Sequence, residues 1–215
     1  MRQPNIGKEE LIERLEERFG TNEPIFVKEI MEAWSEYSRP RVFQIIKALC
    51  DDGTLMKDVQ GVYYLPKDAF WGGTLSFDTL KIAEKRYVKA DGKVIGYYSG
   101  QTLMNMVGLS NQVPNVDEIV TMNETTRVRE VNIGKAIFIL RRAKIGINEK
   151  NAPVMQLLEI FNRYDKPLAD YQQKNVIALV GGKIDEDVLT ECAKCFPKRA
   201  LQNLKRSEVY HVLAQ

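Results

Sequence analysis

The sequence predicts an α+β protein of two domains, and three observations carry that expectation. At 215 residues the chain is long enough for two small cores. Its hydrophobic pattern changes period twice, from helical spacing at the start to alternating spacing in the middle, and back to helical spacing after Pro153. Hydrophobic residues at 44% and charged residues at 28% are ordinary for a globular chain, and no apolar run reaches the length of a membrane span.

The stretch "GKEELIERLEERFG" predicts the first helix, with Leu11, Ile12, Leu15 and Phe19 on one stripe and Glu and Arg elsewhere. Gly20 and Asn22 end it. "EPIFVKEIMEAW" predicts a shorter helix starting near Val27, with Ile30, Met31 and Trp34 inward. Ser38 is placed to cap a third helix that carries Pro40 in its first turn and buries Val42, Ile45, Ile46 and Leu49. "DDG" ends that helix, and "TLMKD", "VQG" and "VYYLP" read as strand, turn and returning strand. Three helices and a hairpin in this order predict a winged helix-turn-helix over residues 1–66.

The third helix leaves Arg39, Arg41, Gln44 and Lys47 pointing away from the core. Residues at the start of a recognition helix meet base edges in the major groove, where arginine pairs with guanine O6 and N7 and glutamine with adenine. Lys47, with Lys57 and Gln60 of the hairpin, is placed to touch phosphate and the flanking groove. Double-stranded DNA is therefore the expected partner. The plainer reading is a solvated helix face on a protein-binding module. The acidic helix "EELIERLEER" must also face away from any phosphate.

Residues 67–75 read as a linker, with Gly72 and Gly73 as a flexible corner and Phe70 and Trp71 pinning it to one domain. The second domain is expected over 76–215. Ser76 caps a helix running to about Arg86, with Leu80 and Ala83 inward. "KVIGYY" reads as a strand, and Ser99 and Gly100 open a short helix holding Leu103, Met104 and Val107. "VDEIVTM", "RVREVNI" and "AIFILRR" read as three strands, the last two joined as a hairpin through Asn132 to Lys135. Arg127 and Arg129 share one strand face. With Arg141, Arg142 and Lys144 they predict a basic patch suited to a phosphate backbone or an acidic partner. From about residue 153 the chain reads as helical, with Gly181, Gly182 and Pro197 as punctuation. The full expectation is an N-terminal winged helix-turn-helix, then a mixed α/β domain with a small antiparallel sheet and a helical C-terminal tail.

Charge is uneven along the chain. Residues 1–66 carry 9 Lys/Arg against 12 Asp/Glu, residues 67–150 carry 13 against 9, and residues 151–215 carry 9 against 8. A nucleic-acid binder of this composition needs a local basic face, because its net charge of +2 gives little steering. The opening "MRQPNIGKEELIERL" lacks the apolar core of a secretory signal and predicts a cytoplasmic protein. Cys50, Cys192 and Cys195 make no disulfide framework. Cys192 and Cys195, at helical spacing, read as small buried hydrophobes rather than metal ligands, because His211 is the only histidine. No phosphate loop, G-x-S-x-G or H-E-x-x-H occurs. Asp117, Glu118 and Glu130 with Lys135 are the residues a magnesium nuclease site would use, but Glu130 and Lys135 straddle a turn. No enzyme activity, cofactor or metal is expected.

The winged-helix segment ending in "GVYYLP", followed by "WGG" and "LSFDTLKIAEKRY", resembles the AbiEi-type antitoxins of bacterial type IV toxin–antitoxin systems. "SGQTLMNMVGLSNQVPNVDEIVTMNETTRVREV" and "AIFILRRAK" continue the resemblance, which covers roughly residues 8–150. It implies a transcriptional repressor that binds inverted repeats in its own promoter. It also implies that the remainder counters a nucleotidyltransferase-like toxin without forming a stable complex. The alternative is a winged-helix regulator whose larger domain senses a ligand or a protein partner, with no toxin.

Overall fold

The helical spacing at the start of the chain becomes three packed helices in the computed structural model, which describes residues 7–68 and 72–214. Helix α1 (Lys8–Phe19) is followed by strand β1 (Ile25–Phe26), helix α2 (Val27–Ala33) and helix α3 (Arg39–Asp51). Leu11, Leu15, Ile30, Val42, Ile46 and Leu49 meet in one core. Trp34, just past α2, is fully buried there, and its indole N–H donates to the Leu11 carbonyl at 3.1 Å, tying α2 to α1. Ser38 occupies the position before α3 and Pro40 lies in its first turn, but the Ser38 side chain makes no capping hydrogen bond.

Strands β2 (Met56–Lys57) and β3 (Val62–Tyr64) form the hairpin, and β1 joins the other edge of β3, so the antiparallel order is β1-β3-β2. Two residues are too few for a periodic signal, and β1 escaped the sequence reading for that reason.

The chain divides into units Met1–Ala83 and Glu84–Gln215, later than the linker at 67–75 implied. Phe77 stacks on Tyr64 at 4.4 Å between ring centroids, and Lys81 donates to the Asn22 carbonyl at 2.9 Å, so this segment belongs to the first unit. Ser76 caps nothing. Just before helix α4 (Leu80–Ala83), Asp78 Oδ1 accepts from the Leu80 N–H at 2.9 Å, and Leu80 is exposed rather than inward. Phe70 and Trp71 lie outside the described residues.

The second unit opens with a π-helical turn (Glu84–Val88), then a small hairpin of β4 (Lys89–Ala90) and β5 (Lys93–Val94). "KVIGYY" is thus two strands, because β6 (Gly96–Ser99) leaves that hairpin for another sheet. Helix α5 (Gly100–Met106) and strands β7 (Asp117–Thr121), β8 (Val128–Ile133) and β9 (Ala136–Arg142) follow. The sheet order is β6-β7-β9-β8. The β8–β9 hairpin is antiparallel, with Ile133 opposite Ala136, but β9 runs parallel to β7. The sheet is therefore mixed where an antiparallel one was expected. The reason is that the hairpin inserts its second strand, not its first, against β7.

The helical tail consists of α6 (Ala152–Arg163), α7 (Asp170–Val180), α8 (Glu186–Ala193), α9 (Lys198–Lys205) and α10 (Glu208–Leu213). Nine of the twelve residues of α6, polar Gln156 and Glu159 among them, are buried, so α6 is the central element against which β6, α7, α8 and α9 pack. Gly181 ends α7 in the left-handed conformation. Among the described residues, no helix is long and apolar enough to cross a membrane.

Candidate nucleic-acid interface

Helix α3 buries one stripe and exposes the opposite one. Val42, Ile46 and Leu49 are inward, and Arg39, Arg41, Gln44 and Lys47 are all exposed. Arg41 Nη1 donates to Gln44 Oε1 at 3.2 Å, one turn along, so the two side chains lie together on the surface. Lys57 on β2 and Gln60 in the hairpin turn are exposed as well. The first turn of α3 contains no acidic residue, which leaves its partial positive charge without an internal counter-charge.

The cations of the other helices are placed differently. Lys8 pairs with Asp52, Arg14 with Glu10 (2.8 Å) and Glu36, Arg18 with Glu32 (3.3 Å), and Lys28 with Glu32 (3.8 Å). The Glu36 and Glu10 bonds push the Arg14 guanidinium upward, and Lys8, with Thr54, holds the Asp52 carboxyl at about 2. By contrast, Arg39, Arg41, Lys47 and Lys57 meet no carboxylate among the described residues. Each cation of α1 and α2 thus has a carboxylate partner, whereas Arg39, Arg41 and Lys47 of α3 and Lys57 of the hairpin have none among the described residues.

One exposed residue of this face was missing from the sequence reading. Phe43, 40% exposed, lies beside Arg39, whose guanidinium carbon sits 5.9 Å from its ring centroid. Its signal was available, because an aromatic at position 43 falls outside the Val42, Ile46, Leu49 stripe.

The five cations predicted for the second unit are less available. Pairing register puts Arg129 with Leu140 on one face of the sheet and Arg141 with Val120 on the other. Arg142, next along β9, falls back on the Arg129 side, so no single face carries Arg129, Arg141 and Arg142 together. Arg129 Nε donates to Glu124 Oε2 at 2.8 Å, and this nearly buried carboxylate also accepts from the Thr125 and Thr126 N–H groups at 2.9 Å each. Those bonds, the Thr126 N–H foremost, lower the Glu124 carboxyl. Arg141 pairs with Glu118 at 2.9 Å. Arg142 Nη1 donates to the Thr125 carbonyl at 3.2 Å and Lys144 to the Cys195 carbonyl at 2.6 Å. Arg127 and Arg142 are the two arginines of this set with no carboxylate partner among the described residues.

Of the acids that could serve a metal, Asp117 and Glu118 are engaged. Glu118 Oε1 accepts from the Gln101 N–H at 3.3 Å, Asp117 Oδ1 accepts from the Thr102 hydroxyl at 3.1 Å, and Glu130 lies on β8 across β9 from both. Cys192 is a buried free thiol that burial pushes up to about 11, and Cys195 is raised by burial too. Among the described residues, no group of three His, Cys, Asp or Glu side chains is arranged to hold a metal ion.

No protein-family model matches the chain, and a search of curated proteins finds no match.

Proposed function

We propose that the protein is a sequence-specific DNA-binding transcriptional repressor whose first unit acts as a winged helix. The observation that carries this reading is the segregation of charge: Arg39, Arg41, Lys47 and Lys57 are exposed and unpaired, while the cations of α1 and α2 are neutralised. A phosphate backbone needs such a surface, and α3 has the length and exposed polar face of a recognition helix. The order helix, strand, helix, helix, hairpin supports the winged-helix reading, with β2 and β3 as the wing. Arg41 and Gln44 are the base-reading pair, Lys47, Lys57 and Gln60 hold phosphate, and Phe43 offers an apolar surface to a thymine methyl.

The resemblance to AbiEi-type antitoxins extends this proposal. In that extension the protein acts in the cytoplasm, represses its own promoter through inverted repeats, and counters a nucleotidyltransferase-like toxin encoded beside it. Arg127 and Arg142 are then the residues of the second unit best placed to meet an acidic partner.

The test is fluorescence anisotropy of the full chain on the DNA upstream of its gene, beside a scrambled duplex of equal length. Selective binding to the upstream DNA supports the repressor. Equal, weak binding to both duplexes refutes it. For the extension, co-expression with the product of the adjacent gene should relieve that product's toxicity, and unchanged toxicity removes the antitoxin reading.

A further inference from the structure

The second unit contains a cleft of about 540 Å³ that the DNA-binding proposal does not use. Small-molecule sites fall at roughly 300–1,000 Å³. The cleft lies among α5 and the segment after it, the end of α6 and α9, and two arginines line it.

Both guanidinium groups are anchored on one side and free on the other. Arg163, in the last turn of α6, pairs with the nearly buried Glu159 at 3.2 Å. Arg199, in the first turn of α9, donates from Nε to Asn162 Oδ1 at 3.1 Å. Their other N–H groups have no partner among the described residues. An anchored planar fork loses less freedom on binding an oxyanion than a mobile side chain does. Asp165 is the one carboxylate in the lining, and Glu159 balances Arg163, so Arg199 is the lining guanidinium with no carboxylate partner among the described residues.

The amides around the arginines are polarised by their own bonds. Asn203 donates to the Phe161 carbonyl at 3.0 Å and Gln101 donates to Ser110 Oγ, which leaves an amide oxygen on each as an acceptor. Asn162, having accepted from Arg199, keeps its NH₂ as a donor. Met104 and Leu109 add apolar surface. Such a wall suits a ligand with a dianionic end, which engages both forks, and an organic part carrying N–H or O–H donors.

We propose that this cleft binds a small phosphate ester, with Arg199 as the principal phosphate-holding residue and the Gln101 and Asn203 amide oxygens accepting from the organic part. The proposal stands apart from DNA binding, and no DNA is needed to test it.

The experiment is isothermal titration of the full chain with adenosine 5′-monophosphate, glucose 6-phosphate, inorganic phosphate and unphosphorylated adenosine. At least one ester is expected to bind with Kd below about 1 mM, with adenosine not binding. Arg199→Ala should weaken that ester at least about tenfold, the effect of losing a charged hydrogen bond. Arg206→Ala, outside the lining, should leave it unchanged. Arg199 is exposed, so an unaltered thermal melt is expected and separates lost binding from lost folding. No saturable binding of either ester, or equal Kd for wild type and Arg199→Ala, overturns the proposal. Inorganic phosphate binding as tightly as the esters overturns it too, because the amides would then take no part.

Discussion

The assignment of Arg41 to a base and of Lys47 and Lys57 to phosphates predicts a crossed pattern in binding data. Each phosphate neutralised contributes about 0.9 to the slope of log affinity against log salt, so replacing both lysines by alanine should make the slope shallower by about 1.8. Between 0.05 and 0.2 M salt, about 0.6 in the logarithm, wild type should then lose about twelvefold more affinity than the double variant. The ratio of upstream to scrambled duplex should barely change. Arg41→Ala should do the reverse, lowering that ratio by about 1–3 kcal/mol while leaving the slope nearly as it was. The hydrogen bond from Arg41 to Gln44 holds the guanidinium along the helix, so Gln44→Ala should produce a smaller loss in the same direction. Anisotropy over a salt series on both duplexes measures all of these. If Arg41→Ala weakens the two duplexes equally and the lysine pair alters the ratio, the division of labour on α3 is refuted.

Phe43→Ala should leave urea stability within about 0.5 kcal/mol, since the ring is on the surface, yet weaken the upstream duplex more than one with thymine replaced by uracil. Equal losses on both duplexes would remove its role at a methyl group. Gly100 has φ +60° and a Cβ there would overlap the Glu118 carboxylate, so Gly100→Ala should destabilise the protein by about 1–3 kcal/mol in urea unfolding. A change near zero would mean that the Glu118 contacts to Gln101 and Arg141 are not maintained. The Asp52 carboxyl is depressed, so the stability it contributes is present above about pH 4 and is lost as pH falls through about 2. Its NMR titration should show that midpoint, moving up toward 3.8 in Lys8→Ala, and an unmoved midpoint would show that Lys8 is not its cause.

The parts that were legible share one property. The stripe of α3, the Gly134 hairpin turn and the apolar wealth of α6 are each set by residues within a turn or two of one another, and local spacing reports them. Leu80 and Ser76 show where that fails. Four residues of α4 carry too little periodicity to separate an inward Leu from an exposed one, and the carboxylate of Asp78 two residues on took the capping role. The basic patch is divided between the two faces of the sheet for a different reason. Alternation along β8 paired Arg127 with Arg129 on the strand, but which residue of β9 lies opposite, and which carboxylate reaches each guanidinium, depends on register between strands. Glu124 lies just before β8 and Glu118 lies on β7, yet nothing in their spacing marks them as partners of Arg129 and Arg141.

The sequence by itself determined that this chain begins with three amphipathic helices and a hairpin, that its middle is strand-rich, and that its tail is helical. Hydrophobic periodicity and turn chemistry are local properties, written over a few residues. Only the tertiary structure decided that β9 lies parallel to β7, that the cations of α1 and α2 meet carboxylates while those of α3 meet none among the described residues, and that Arg163 and Arg199 line one cleft. Ion pairs and clefts join residues far apart along the chain, and their energies depend on distances that exist only once the elements have packed.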